Sequence, residues 1–340
     1  MTKEEKLAEK EAKEQAKKRA KREKKQEKRR KKLQHKRIPG KKFYNYKNKR
    51  GDRKDGWRVH SNDPVFYLIP HLMRTRLDSM VFFEERVDIE ELNRFVRQMR
   101  REGDMPQLSR VVVVMAAFVR AVSQYPHLNR FVVGGGIYAR NSLRICMTIK
   151  REMTLEAPEE TIKVAFDPDD TLKIVYDKVM GELSKVKGSL DENDSTNDTG
   201  NIAGIVAALP NWLIRAVVNF LRRMDNRRGV PKLIDEVSPM HTSVFITDIG
   251  SVGIGSVYHH LYEFGTCSVF AGLGKIEKML VRNDDGTVSN HESVNLRFTV
   301  DERIGDGYYY GKALRYIVQL LKHPDNLLTP PETVKEDELC

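Results

Sequence analysis

The sequence predicts an α/β domain, a two-layer α+β sandwich in which helices cover a sheet, and three stretches carry that expectation. Apolar residues alternate at Val294, Leu296, Phe298 and Val300 and run into the charged turn Asp301-Glu302-Arg303. After Asp306-Gly307 the spacing becomes helical, through Ala313, Leu314, Ile317, Val318, Leu320 and Leu321. A second stretch, Val111 to Val122, is apolar nearly all round, the pattern of a buried helix. The third, Val244 to Gly250, is a strand that enters a turn rich in glycine through Gly253 and Gly255. A chain of 340 residues has room for one large domain or two small ones, with an ample core.

The basic character of the chain belongs to one end. Residues 1–37 hold 18 Lys or Arg against 7 Glu, so almost all of the formal +12 lies there and the remainder is close to neutral. Helix propensity in that segment is high, but Leu7 and Leu33 make no apolar stripe that could dock it. It reads as a solvated arm, with non-specific contact to RNA or to an anionic surface as its expected use. Cys146, Cys267 and Cys340 have neither disulfide nor metal-ligand spacing, which points to a reduced, cytoplasmic setting and to no metal. The N-terminal residues hold no apolar h-region, so no secretory signal is expected in them, and the sequence has no apolar run of about 20 residues to span a membrane.

Taken in order, residues 38–64 form a connector in which Phe43, Tyr44, Tyr46 and Trp57 are expected to dock on the domain. A short helix follows Asp63-Pro64, then a strand from Met80 to Val87, then a helix through Met99 with Asp88 as N-cap. Ser109 opens the buried helix, which ends at Tyr125-Pro126-His127-Leu128-Asn129. Gly134-Gly135-Gly136 closes a hairpin between Phe131 and Tyr138, and Leu143 to Lys150 is the next strand. Residues 168–190 give an amphipathic helix, and 191–200 a loop. Ile202 to Met224 is a strongly apolar helix interrupted near Pro210 and fringed by Arg222, Arg223, Arg227 and Arg228. Its composition suits a core helix or a lid over a substrate channel, with an interfacial helix as the alternative. Ser268 to Lys278 is a further strand. The expected organisation is a tail over 1–37, a connector over 38–64, a domain over 65–328 with an apolar helical insertion at 200–236, and a C-terminal tail over 329–340.

Glu302-Arg303-Ile304-Gly305-Asp306-Gly307 resembles the His-x-x-x-Asp-Gly signature of chloramphenicol acetyltransferases and of the catalytic cores of 2-oxo acid dehydrogenase acyltransferases. Phe245-Ile246-Thr247-Asp248-Ile249-Gly250 and Gly274-Lys275-Ile276-Glu277-Lys278 resemble the same family, in the same order. The resemblance covers roughly residues 65–328 and is densest from 241 to 328. It implies the CoA-dependent acyltransferase fold, with a mixed, mostly antiparallel sheet, flanking helices, and active sites between the subunits of a homotrimer. It also implies acyl-CoA as a substrate and a small-molecule hydroxyl or thiol as the acyl acceptor. No lipoyl-carrier domain is expected before the core.

Carried over position by position, Thr247 is the hydroxyl that donates to the tetrahedral oxyanion, and Asp306 is the carboxylate that pairs with an arginine to shape the loop. Arg58, Arg74 and Arg76 are the candidate partners for Asp306. Glu302 stands where the family has its basic histidine. A free carboxylate is a poorer base at neutral pH than an imidazole. Glu302 is therefore either a base retuned by burial or the mark of a lost reaction, unless the base has moved to His259 or His260. The expected function is acyl transfer from acyl-CoA with an altered base. The alternative is a non-catalytic binding scaffold of the same fold, anchored to polyanions by its basic tail.

Overall fold

The computed structural model describes residues 51–59, 64–150, 159–188, 209–282 and 285–337. The tail at 1–37, most of the connector, the 191–200 loop and the 202–208 start of the apolar segment lie outside the described residues.

Two sheets organise the domain. Six strands stand in the order β2-β9-β8-β7-β5-β6: β2 (Met80–Asp88), β5 (Leu143–Lys150), β6 (Glu159–Phe166), β7 (Val244–Asp248), β8 (Val269–Arg282) and β9 (Val288–Asp301). Neighbours run antiparallel except where β7 lies parallel to both β8 and β5. The smaller antiparallel sheet is β1-β4-β3, from β1 (Gly56–Arg58), β3 (Arg130–Val133) and β4 (Gly136–Arg140). Both the mixed, mostly antiparallel sheet and its flanking helices agree with the sequence expectation.

Strand alternation gives the large sheet two unlike faces. Val87, Leu143, Ile145, Ile162, Val164, Val244, Ile246, Val269, Ala271, Leu296, Phe298 and Val300 point to the main core. There they meet α2 (Glu90–Glu102), α3 (Arg110–Gln124), α4 (Leu172–Gly188) and α7 (Gly307–Lys322). Every residue of α3 from Val111 to Ser123 is buried, which explains its lack of a polar face. Ser109 caps α3 by accepting from the Val112 amide, as its sequence position predicts. The N-cap of α2, by contrast, is Ile89; Asp88 sits one residue earlier, accepts from the Glu90 amide and pairs with His291.

The opposite face carries a smaller cluster of Cys146, Phe245, Leu261, Cys267 and Phe270. The chain leaving β7 crosses this face. It passes so close that a Cβ on Gly272 would lie 2.6 Å from the Val257 carbonyl oxygen, and one on Gly274 2.3 Å from the Ser256 amide nitrogen. Only glycine in β8 lets the loop lie flat there.

Segments at the margins are more integrated than their composition suggests. Trp57 is buried, and Arg53 at the head of β1 is almost fully enclosed. After Leu328 the chain does not leave the domain: Lys335 donates its amide to Ser123, and Asp337 forms a buried ion pair with Arg130. The apolar helical segment appears as α5 (Asn211–Arg228), followed by α6 (Lys232–Val237). It is not a core helix, for its one buried residue is Asp225, while Trp212 is 70% and Phe220 65% exposed. A polar clamp fixes its end. Asp225 accepts from Arg53 at 2.8 Å and faces His241 Nε2 at 3.2 Å, while His241 Nδ1 meets Ser238 Oγ at 2.7 Å.

Candidate active site

Register places Thr247 opposite Gly272, Gly272 opposite Arg297, and Arg297 opposite Glu84, so these four form one row across β7, β8, β9 and β2. The next row is Phe245, Phe270, Thr299 and Phe82. Both rows lie on the face that the loop after β7 covers. Thr247 is half-buried there, beside the backbone approach made by Val257.

Glu302 lies elsewhere. It follows Asp301 at the tip of β9, with its amide donating to the Ser79 carbonyl at 2.8 Å and its side chain exposed. From the Thr247 row to Asp301 is four residues along β9, about 13 Å at ~3.3 Å per residue, and two strand spacings of ~4.8 Å separate β7 from β9. A single chain therefore does not bring the Thr247 hydroxyl and the Glu302 carboxylate together. Nor is Glu302 buried beside Tyr308, which is 75% exposed.

Asp306 also has a different task from the one the resemblance implies. It is the exposed N-cap of α7, accepting from the Tyr309 amide at 2.7 Å, and none of Arg58, Arg74 and Arg76 pairs with it. The arginine-bound carboxylate of this turn is Asp301. Arg303 donates to it through Nε at 2.8 Å and Nη2 at 2.7 Å, both side chains being buried. Arg303 is close enough in sequence because the short 3-10 turn over Glu302–Ile304 folds its side chain back over the end of β9. Tyr310 completes the brace by donating its hydroxyl to the Asp301 carbonyl at 2.7 Å.

Of the two histidines, His259 is the one that reaches the Thr247 face. Its ring stacks on Phe270 at 4.1 Å between centroids, and Phe270 stacks on Phe245 at 4.8 Å, so His259 caps an aromatic column one row from Thr247. His259 Nδ1 lies 2.8 Å from the His260 carbonyl oxygen. A carbonyl only accepts, so that contact puts the proton on Nδ1 and leaves Nε2 of the neutral ring with a free lone pair. His260 is exposed and packs on the outer side of His259.

The row also contains polar groups that no motif singled out. Arg297 Nε pairs with Glu84 at 3.2 Å, its Nη1 donates to the Ser256 carbonyl at 2.6 Å, and its guanidinium lies 4.8 Å from the Tyr258 ring centroid. The Tyr258 hydroxyl donates to Glu84 at 3.2 Å. The alternation Phe82, Glu84, Arg86 was the available signal, because it puts those three side chains on one face. Cys267, beneath the column, is fully enclosed, and desolvation pushes its thiol above the usual range, which rules it out as a ready nucleophile. Among the described residues no group of three or more His, Cys, Asp or Glu could hold a metal ion, and no helix is long and apolar enough to cross a membrane.

No family model matches the chain, and no curated protein matches it in sequence. Among solved structures it is similar to a probable dihydrolipoamide acetyltransferase from Listeria monocytogenes 4b F2365, at 16% identity over 78% of this chain and 94% of that one, with a TM-score of 0.49. It is similar to the cubic core of a pyruvate dehydrogenase multienzyme complex at 12% identity over 80% and 95% of the two chains, TM-score 0.49. A chloramphenicol acetyltransferase matches at 10% identity over 77% and 96%, TM-score 0.43.

Proposed function

We propose that the protein transfers an acyl group from a CoA thioester to a hydroxyl or thiol acceptor, at sites formed between copies of the chain in a homotrimer. The observation that carries this reading is the contiguity of the motif strands. The Thr247 strand, the Gly-Leu-Gly strand and the strand that ends just before Glu302 are the neighbours β7, β8 and β9. Two copies are needed because Thr247 and Glu302 lie far apart within one. In such a site a base takes the acceptor proton, and the acceptor oxygen or sulfur attacks the thioester carbonyl. Thr247 donates to the resulting oxyanion, which collapses to the new ester or thioester and expels CoA as a thiolate that regains the proton. Glu302 from one copy is the proposed base, and His259, with Nε2 free and one row from Thr247, is the relocated alternative.

The exposure of Glu302 favours a second reading, a non-catalytic scaffold of this fold held to a polyanion by residues 1–37. Release of free CoA from acetyl-CoA, assayed with hydroxyl and thiol acceptors in the wild type, Glu302→Gln and His259→Gln, separates these readings. Turnover lost in Glu302→Gln alone supports the carboxylate base, and turnover lost in His259→Gln alone supports relocation. No acetyl-CoA binding and no turnover in the wild type leaves the scaffold reading.

A further inference from the structure

A cavity of about 580 Å3 opens on another side of the Asp301–Arg303 brace, and none of Thr247, Glu302 and His259 lines it. Its walls come from the link between α1 (Pro64–Leu72) and β2, the β3–β4 hairpin, the end of α5 and the chain before β8. That volume falls within the range of small-molecule sites, about 300–1,000 Å3.

Its charge is lopsided. Arg74, Arg76, Arg222 and Arg303 line it, with His71 beside them. Two carboxylates also line it, and both are already engaged. Glu263 accepts from the backbone amides of Arg76 at 2.6 Å and Leu77 at 3.2 Å, and Asp225 is held by Arg53 and His241. Arg303 is answered by Asp301. Arg76 has no such answer: it is only 4% exposed, and its guanidinium donates to the carbonyls of Glu263 and Val132, each at 3.1 Å, and of Tyr262 at 3.4 Å, while its Nε meets no acceptor. Desolvation works against its charge, and Asp301 and Glu263 lie near enough to favour the charged form, but neither forms an ion pair with it. Arg74 and Arg222 are exposed and have no carboxylate partner among the described residues. The cavity therefore has a buried cation inside and two uncommitted cations towards solvent.

A buried guanidinium without a counter-ion is expensive to keep, and an arginine fork matches the two oxygens of a carboxylate or a phosphate. We propose that this cavity binds a small molecule through a carboxylate or phosphate group, which meets Arg76 inside and Arg74 and Arg222 at the mouth. The rest of the ligand lies against Phe264, Val132 and the His71 ring. That ring is held close to the hairpin, since a Cβ on Gly135 would come within 2.7 Å of it. Because α5 supplies Arg222, the site depends on the helix inserted between α4 and β7. It does not depend on the acyl-transfer reading.

The test is calorimetric titration and thermal-shift measurement on the full chain with inorganic phosphate, pyrophosphate and succinate, at constant ionic strength. Saturable binding of at least one probe is expected, weakened tenfold or more in Arg74→Ala/Arg222→Ala. Both positions are exposed, so the fold should survive the change. Arg97→Ala/Arg101→Ala, which removes the same charge from the exposed side of α2, should bind as the wild type does. All three proteins keep residues 1–37, so any contribution from the basic tail is common to them. Preference for the phosphates or for succinate identifies the oxyanion. Arg76→Met, if it folds, should abolish binding; if it does not fold, the double variant decides. Equal affinity in the two double variants, or no saturable binding of any probe, overturns the proposal.

Discussion

Replacing Asp301 by Asn removes one charge from a buried pair and keeps the side-chain volume. Asp301 is fully buried, and its carboxylate takes the Nε, the Nη2 and the backbone amide of Arg303, the last at 3.1 Å. Arg303 is itself only 3% exposed and has one further acceptor, the Met73 carbonyl at 3.1 Å. Asp301→Asn therefore strands a buried guanidinium, a change that typically costs about 3–5 kcal/mol. For a domain of this size that is a drop in Tm of about 6–20 °C. Asp306→Ala removes an exposed N-cap and should cost about 1 kcal/mol. Urea unfolding followed by circular dichroism gives both losses from the midpoints at a shared m-value. Adding Arg303→Met to Asp301→Asn should recover part of the loss, because the stranded charge is then gone. If Asp306→Ala is as damaging as Asp301→Asn, the assignment of the brace is wrong and Asp306 holds an arginine after all.

Two further outcomes follow from side chains at the margins of the core. His127 stacks on Tyr309 at 4.4 Å, and desolvation, with Arg130 adding to it, lowers its pKa to about 4. Protonation therefore favours the unfolded chain. Stability should fall as pH drops from about 6.5 to about 4, by up to about 3 kcal/mol, and His127→Phe should lose that part of the acid sensitivity in urea melts at pH 4 and 7. On α5, Trp212→Ala should change stability by less than about 0.5 kcal/mol, whereas Asp225→Ala should cost about 1–3 kcal/mol, because buried Arg53 then keeps only Asp55 of its two carboxylates and His241 loses its partner. A thermal melt in which Trp212→Ala is the worse of the two would refute the polar clamp.

The elements that the sequence made plain are those whose burial pattern repeats over many residues. The alternation from Val294 to Val300, the all-round apolar α3 and the Gly134-Gly135 turn each gave a correct element, with Gly134 and Gly135 at φ of 58° and 79°. β6 escaped notice because Glu159, Glu160 and Lys163 obscure the alternation of Ile162, Val164 and Phe166, and three-residue β1 is too short to show a period. α5 misled because apolar content does not reveal which side of a helix meets the domain; a buried aspartate, not the tryptophan, fixes it. Around the candidate site, the motif spacing located the turn at the end of β9. It could not show which of two aspartates, five residues apart, the arginine would take. Nor could it show that His259 packs on Phe270, a contact made by a loop folding back over its own sheet.

The pairing of β2 with β9 has a consequence for the making of the protein. Met80 lies opposite Asp301 and Asp88 opposite Ser293, so β2 waits for a partner that leaves the ribosome more than 200 residues later. At ~5–20 residues per second that is roughly 10–40 s during which Phe82 and Phe83 have no strand beside them. β8 has no such wait, since it pairs with β7, made before it, and with β9, the next strand in sequence. The nascent chain can assemble the β3–β4 hairpin and α3 early, but the larger sheet closes only when its last strand arrives. Slow codons or a holding chaperone acting before residue 288 should change the yield of folded protein more than the same intervention later.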